Sequence, residues 1–168
     1  VRGKEKGLYK YSFDVPASWK NKTVKIVFEG SMTDTDVKIN GQSAGDIHQG
    51  AFYAFKYDIT ELINYGKKNL LEVTVAKHSA NQSVNEAERK ADFWIFGGIF
   101  RPVYLEVFPD LHIENIEINA TADGGFFAFF FADNFRGKAQ FQIFDATGKL
   151  FANAGAVPLG RTDVFSFD

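Results

Sequence analysis

A serine flanked by glycines is the first pattern in this sequence that suggests chemistry. The segment Gly41-Gln42-Ser43-Ala44-Gly45 matches the G-x-S-x-G motif of serine hydrolases, in which a strand-to-helix turn lifts the hydroxyl above a sheet. Residues 46–50 show no helical period that would place an oxyanion hole beside Ser43. Because so short a pattern is common by chance, we interpret the segment as a glycine-rich turn.

Histidine and carboxylate spacing gives no support for a metal centre. The three histidines are far apart, and none has a carboxylate at metal-ligand spacing: His48, His78 and His112. Asp34 and Asp36 are alternate carboxylates that suit a hard cation, but Lys38 interrupts any run of oxygen ligands. We therefore predict a solvated turn at the two aspartates, no metal site and no cofactor.

The composition excludes two classes of partner. The net charge is −2 and the basic residues are scattered, so the sequence lacks the electrostatic footprint of nucleic acid binding. The longest apolar run, residues 126–132, is far below the roughly 18 residues of a membrane helix. The absence of cysteine says little about compartment. Because the chain begins at Val1, we expect a processed or excised piece, and an exported location is favoured.

The elements that must position any site are predicted to be strands. Nineteen Phe and a single Met favour pleated sheets over helices. Apolar residues alternate in short runs, which predicts strands near residues 8–15, 24–29, 37–39, 71–75 and 99–107, the first of them half-buried. Asn40-Gly41 predicts a tight hairpin, residues 58–63 one helical turn, and residues 81–90 a polar loop. The fold class is therefore all-β, a sandwich or jelly roll.

Phe108-Pro109-Asp110 is the predicted domain boundary, because proline cannot donate to a sheet and the strand pattern restarts after it. We expect residues 1–108 to form one domain and residues 109–168 a second. The second has room for four or five strands, fewer than the seven of an immunoglobulin-like sandwich, so we predict a partial sandwich of that kind. Its Phe126–Phe131 run is predicted to be a strand buried on both faces.

Three segments, read in order, resemble the sugar-binding domain that opens glycoside hydrolase family 2. Residues 7–16, with Trp19 after them, are similar to the family's first strand and its Val-Pro-x-x-Trp turn. Residues 28–30, 37–41 and 48–60 are similar to its central hairpin and the loop beyond. The segment Asp92-Phe93-Trp94-Ile95-Phe96-Gly97-Gly98-Ile99-Phe100-Arg101-Pro102-Val103 closely resembles the family's signature near the end of that domain. The resemblance covers residues 7–108.

The resemblance implies a galactose-binding-like jelly roll, then an immunoglobulin-like sandwich, then a catalytic barrel that supplies two glutamates. At 168 residues the chain is too short to hold a (β/α)₈ barrel of about 250 residues as well. We therefore expect no catalytic residue in it. The expected partner is a carbohydrate substrate shared with a downstream catalytic domain.

Three residues of the signature are candidates for substrate binding: Asp92, Trp94 and Arg101. By position, the resemblance gives Asp92 the role of binding a sugar hydroxyl, or an alkali ion in some galactosidases; its alternative is to cap a turn. Trp94 either stacks on a sugar or fills the core, and its apolar neighbours favour the core. Arg101 offers a planar donor fork for a carboxylate, or serves the architecture alone.

The leading hypothesis is a non-catalytic N-terminal region of a retaining exo-glycosidase that is β-galactosidase-like. This region scaffolds and completes the active site of the intact protein and is inactive by itself. The alternative is a free-standing carbohydrate-binding or adhesion module. A small esterase built on Ser43 is the third hypothesis.

Overall fold

The chain folds into two compact units, residues 1–108 and 109–168. The computed structural model describes residues 5–90, 94–131, 137–159 and 162–167. Strands dominate both units, which confirms the all-β class predicted from the aromatic composition. The division between the two units falls between Phe108 and Pro109.

The first unit is a two-layer sandwich. Its strands are β1 (Lys6–Val15), β2 (Lys22–Phe28), β3 (Ser31–Met32), β4 (Asp34–Ile39), β5 (Gln42–Ser43), β6 (Phe55–Asp58), β7 (Lys67–Ala76), β8 (Gly98–Ile99) and β9 (Val103–Pro109). One sheet has the order β1-β7-β4-β5, another β6-β2-β9, and β3 pairs with β8. A short 3₁₀ helix (Ala17–Trp19) follows β1, and α1 (Gln82–Arg89) follows β7.

The core lies between the two larger sheets. Alternate residues of β2, β4 and β7 point into it and form one buried cluster with Val15, Ile59 and Ile63: Val24, Ile26, Phe28, Val37, Ile39, Val73 and Val75. This is the period-2 pattern that predicted these strands. Burying an aliphatic or aromatic side chain contributes about 1.5–3 kcal/mol, so this cluster is the main stabilising element of the unit.

The predicted hairpin turn is confirmed, and the helical turn predicted at residues 58–63 is a single hydrogen-bonded turn without a helix. Asn40 and Gly41 have φ values of 52° and 82° and close the hairpin between β4 and β5. Residues 59–62 form one turn, in which the Leu62 N–H donates to the Ile59 carbonyl at 2.9 Å. The Asp58 carboxylate accepts from the Thr60 N–H at 2.9 Å, as a capping aspartate does.

The prediction of a half-buried first strand is wrong over most of β1. Tyr9 is 40% exposed and Tyr11 67%, and burial is complete only at Val15. The reason is topological, since β1 is an edge strand of its sheet. Tyr9 and Tyr11 line an open apolar groove of about 440 Å³ that is bordered on its other side by residues 103–105 of β9.

The predicted polar loop at residues 81–90 is also wrong, because residues 82–89 form α1. The Asn81 side chain accepts from the Ser83 N–H at 3.0 Å and caps the helix. The helix buries Glu88, which is 9% exposed. Because the sequence of α1 is mostly polar, a search for apolar periodicity does not detect this helix.

The second unit contains five strands in its described residues: β10 (Asn115–Ala120), β11 (Phe126–Phe131), β12 (Gly137–Phe144), β13 (Leu150–Leu159) and β14 (Thr162–Phe167). Strand β11 lies between β10 and β14, and β12 pairs with β13. The predicted burial of β11 on both faces is wrong. Phe130 is buried and meets Phe141 at 5.6 Å, whereas Phe127 on the opposite face is 38% exposed.

Candidate functional site

The described part of the signature segment, residues 94–103, lies beside the loop that contains Phe52 at one end of the first unit. The strand predicted over residues 99–107 is not continuous, because it is interrupted at residues 100–102. Ile99 and Gly98 pair with Ser31 and Met32 in a two-residue ladder. The chain then leaves the ladder at residues 100–102, since Pro102 has no N–H to donate, and β9 begins at Val103. The Pro102 carbonyl accepts from the Glu29 N–H at 3.1 Å. The break turns Phe100 and Arg101 toward the neighbouring loop.

Arg101 binds main chain at this end of the unit. Its Nη1 donates to the Glu29 carbonyl at 3.2 Å and to the Phe52 carbonyl at 3.1 Å. The guanidinium lies 5.3 Å from the centre of the Phe100 ring, within cation–π range. Gly30 permits this packing, because a Cβ there would lie 2.9 Å from Cδ of Arg101. Arg101 therefore joins the end of β2 to the loop that contains Phe52.

An aromatic cluster covers the same end. Phe96 stacks on Phe100 at 5.2 Å, and Phe100 meets Phe52 edge to face at 6.4 Å. Phe96 is 49% exposed. Exposed aromatic groups that form a contiguous patch are typical of ligand or protein contact surfaces.

The two ends of the loop from His48 to Phe55 pack against each other. The His48 ring stacks on Phe55 at 3.7 Å, and its Nε2 lies 2.9 Å from the Gly50 carbonyl. Burial lowers the pKa of His48 from its usual 6.5, although the Gly50 carbonyl, Glu88 and Asp34 act in the opposite direction. His48 is therefore a packed, mainly neutral ring in the loop's support at neutral pH.

Asp34 contradicts the predicted solvated turn. It begins β4 and is only 9% exposed, and its Oδ2 accepts from the Ala80 N–H at 2.7 Å and from Gln49 Nε2 at 3.3 Å. Its Oδ1 is buried without a hydrogen-bond partner among the described atoms. Asp36 lies two residues further along the same strand and is partly buried. The carboxylate of Asp34 thus ties β4 to the chain that leads into α1.

The three predicted substrate-binding residues have different outcomes. Asp92 lies outside the described residues. Trp94 is 84% exposed, so its interpretation as a core residue is wrong. Within the described part of the chain, no hydrogen bond or ring contact joins Trp94 to Arg101. The structure places Trp94 in irregular backbone just before the aromatic cluster.

Ser43 lies in a hairpin and not at a hydrolase elbow. It is the second residue of β5, and its hydroxyl donates to the Gly45 carbonyl at 2.9 Å. No helix follows it before α1 in the described residues. The interpretation of Gly41 to Gly45 as a glycine-rich turn is thus supported by its structural context.

Over the described ranges, no three His, Asp or Glu side chains gather into a metal-binding set. The same ranges contain no helix with the length and hydropathy needed to cross a membrane.

Sequence reasoning missed Glu88. Both of its carboxylate oxygens accept from the Ala51 N–H, at 2.9 and 3.0 Å. The sequence around Glu88 is polar, and nothing in it indicates that this glutamate binds a buried N–H group far away in the chain. The one available signal was Asn81 three residues before Val84, a cap followed by a weak apolar position.

These features define an all-β sandwich domain with one end that is built from loops, aromatic rings and a main-chain-binding arginine. Comparison with known proteins identifies the family of this domain. Residues 2–109 match the family model described as glycosyl hydrolases family 2, sugar binding domain. This chain therefore belongs to glycoside hydrolase family 2, as the signature segment predicted.

Individual relatives agree with the family match. A β-galactosidase of Thermoanaerobacter pseudethanolicus is 37% identical over 109 residues, which is 64% of this chain and 14% of that protein. A β-glucuronidase of Bacteroides fragilis is 34% identical over 99 residues, 59% of this chain and 14% of that protein. The chain thus spans about one seventh of the length of each.

Solved structures show the same fold. The apo structure of Bacteroides uniformis β-glucuronidase 3 superposes with a TM-score of 0.80 at 21% identity, over 98% of this chain and 22% of that one. The crystal structure of a family 2 member from Bacteroides cellulosilyticus gives a TM-score of 0.71 at 23% identity, over 96% of this chain and 23% of that one.

Proposed function

We propose that this chain is the non-catalytic N-terminal region of a retaining exo-glycosidase, β-galactosidase-like, and that it scaffolds and completes an active site. The catalytic carboxylates then come from a domain outside these 168 residues. The partner is a carbohydrate substrate that both domains contact. The observation that carries the proposal is the exposed aromatic end of the first unit, which lies in the segment that resembles the family's signature.

The exposed rings suit a sugar-contacting surface. An indole or phenyl face packs against the apolar face of a pyranose, and Trp94 offers a ring that is 84% exposed. We propose that Trp94 stacks on the substrate and that Asp92 accepts hydrogen bonds from its hydroxyls. A charged acceptor is suited to this task, since such bonds are roughly twice as strong as neutral ones.

In this proposal Arg101 mainly holds the loop beside the site, whereas Asp92 and Trp94 contact the substrate. Its Nη1 already donates to the carbonyls of Glu29 and Phe52. A direct sugar contact would therefore fall to its other guanidinium nitrogens, while Nη1 holds the loop that borders the site.

The substrate class is tested on the full-length protein that carries this chain. We expect hydrolysis of aryl β-galactosides with retention of anomeric configuration, as followed by NMR of the first product, and aryl β-glucuronides are the comparison substrates. The isolated 168-residue chain should give no turnover of either. Turnover by the isolated chain, or inversion by the full-length protein, would overturn the proposal.

The roles of Asp92 and Trp94 are tested in the same protein. Asp92→Asn and Trp94→Ala should each lower kcat/KM by about tenfold or more, which corresponds to about 1.4 kcal/mol of transition-state binding. Phe151→Ala is the matched control, because Phe151 is 79% exposed in the second unit. Equal kcat/KM values for Trp94→Ala and Phe151→Ala would remove Trp94 from the site.

A free-standing carbohydrate-binding module is the second candidate, and the exposure of Trp94 is the observation that favours it. The two functions differ in where the sugar-binding surface is complete. Isothermal titration of the isolated chain with galactose, glucuronate and their β-methyl glycosides distinguishes them. Binding at millimolar concentration or tighter supports the free module, and its absence supports a site completed by a further domain.

A further inference from the structure

Glu88 makes a contact that joins α1 to the loop at the aromatic end. The carboxylate is 9% exposed, and both oxygens face the same N–H, that of Ala51. Ala51 is fully buried, so solvent offers this N–H no replacement acceptor. Acceptance by a charged group is the stronger form of such a bond.

The loop is held on its other side as well. The carbonyl of Phe52, the next residue, accepts from Arg101, while the carbonyl of Ala51 packs close to Gly30. Gly50 precedes them with a φ of +123°, a conformation that residues with a side chain rarely adopt, and a Cβ built on it would lie 3.6 Å from Oε1 of Glu88. Consecutive loop residues are therefore fixed from α1 on one side and from the signature segment on the other.

The helix α1 lies shortly before Asp92 in the sequence, so its contact with the loop bears on the proposed substrate site. The helix ends at Arg89, and Asp92 follows three residues later. Glu88 thus lies in the last turn of α1, four residues before Asp92 in the sequence, and its carboxylate binds the loop that contains Phe52. A cavity of about 360 Å³ between Val84 and Ala87 of α1 and Tyr53 of the loop has Glu88 in its wall.

We propose that Glu88 is a positioning residue that holds the loop 49–53 in the arrangement needed for substrate binding. It acts through the Ala51 N–H and touches no substrate. This inference rests on the proposed glycosidase function. Groups held by such contacts are sensitive to their loss, because a misplacement of about 1 Å in a site can lower the rate about 100-fold.

The first test measures the loop directly, by amide hydrogen exchange in the full-length protein. In Glu88→Ala we expect the Ala51 amide to exchange about tenfold faster or more, with the change confined to residues 48–53 and 82–90. Glu86→Ala is the control, because Glu86 is an exposed residue of the same helix. Unchanged exchange at Ala51, or an equal effect of both variants, would overturn the proposal.

The second test separates positioning from general stability. With aryl β-galactosides, we expect Glu88→Ala to lower kcat/KM by about 10- to 100-fold, and Glu88→Gln, which keeps one acceptor oxygen, to recover most of the loss. Glu86→Ala should leave kcat and KM unchanged. If Glu88→Ala does not fold, Glu88→Asp takes its place, because its side chain is one methylene shorter and draws the acceptor oxygens back from the Ala51 N–H. Wild-type exchange at Ala51 together with wild-type kcat/KM in Glu88→Asp would refute the proposal.

The two proposals fail differently. If the wild-type protein hydrolyses neither β-galactosides nor β-glucuronides, the glycosidase function is wrong and the substrate-positioning role of Glu88 falls with it. The exchange result at Ala51 then shows whether the contact itself still orders the loop. If wild type is active and Glu88→Ala exchanges faster at Ala51 with unchanged kcat and KM, the positioning role alone is refuted.

Discussion

Substitution of Gly98 tests how closely Tyr9 of β1 packs against the signature segment. Its φ is +77°, and a Cβ built on it would lie 1.9 Å from Oη of Tyr9. Gly98→Ala thus has two penalties. The left-handed conformation costs an L-residue about 1–2 kcal/mol. Displacement of the Tyr9 ring adds about 1 kcal/mol, the lower end for overpacking, because the ring is 40% exposed and the overlapping atom is the far end of its side chain. We expect a loss of about 2–3 kcal/mol in the free energy of unfolding of the first unit.

Two variants separate these contributions. Gly41→Ala has the conformational penalty alone, because its φ is +82° and no atom lies within 4 Å of the added Cβ. Tyr9→Phe removes the hydroxyl oxygen that would lie 1.9 Å from the added Cβ and leaves Cζ at 3.1 Å as the nearest atom. In the Tyr9→Phe background, Gly98→Ala should therefore be less destabilising by about 1 kcal/mol.

Urea denaturation followed by tryptophan fluorescence is the assay, since Trp19 and Trp94 both lie in the first unit and Trp19 packs against the core. Two results would refute the reasoning. One is a Gly98→Ala variant that is no less stable than Gly41→Ala. The other is a penalty for Gly98→Ala that is the same with Tyr9 as with Phe at position 9.

Three further predictions concern other parts of the first unit. Asn69 is 2% exposed and bonds to Asn40, Asn64 and Lys67, so Asn69→Ala should destabilise the unit by about 2–4 kcal/mol in urea; a loss below 1 kcal/mol would contradict this network. Burial lowers the pKa of His48 below its unfolded value of 6.5, so the unfolded chain binds the proton more readily; stability should be complete above pH 6.5 and fall as pH drops below it. NMR titration of the His48 ring checks the sign, and a pKa above 6.5 would reverse it. A fluorophosphonate probe should leave Ser43 unlabelled, because its hydroxyl lies in a hairpin and donates to the Gly45 carbonyl; labelling of Ser43 would restore the esterase hypothesis.

Much of the fold was predictable because it depends on local rules. Alternation at Val37 and Ile39 and at Val73 and Val75 determines which face of each strand is buried, and the structure buries those four residues. Asn40-Gly41 specifies its hairpin through φ values that few other residue pairs adopt. The signature segment was sufficient to predict the family.

The contacts around the site were not predictable in this way, because they join residues that are distant in sequence. Glu88 and Ala51 are 37 positions apart, and Asp34 and Ala80 are 46 apart. A carboxylate in a polar stretch looks solvated in the sequence, whatever N–H group the fold later places beside it. For the same reason α1 looked like a loop, since its burial is provided by one charged residue and not by an apolar face.

Trp94 shows the opposite failure, in which a statistical preference predicted burial. The preference of tryptophan for the interior is an average over positions, and it applies where a strand or helix turns the ring inward. Trp94 lies in irregular backbone between α1 and β8, so no regular element directs its ring toward the core. The two interpretations predict different results for Trp94→Ala. A core tryptophan costs about 3–5 kcal/mol when truncated, whereas a ring that is 84% exposed should leave the free energy of unfolding within about 0.5 kcal/mol of wild type. A measured loss of 3 kcal/mol or more would place the ring in the core and remove the exposed surface on which the proposed function depends.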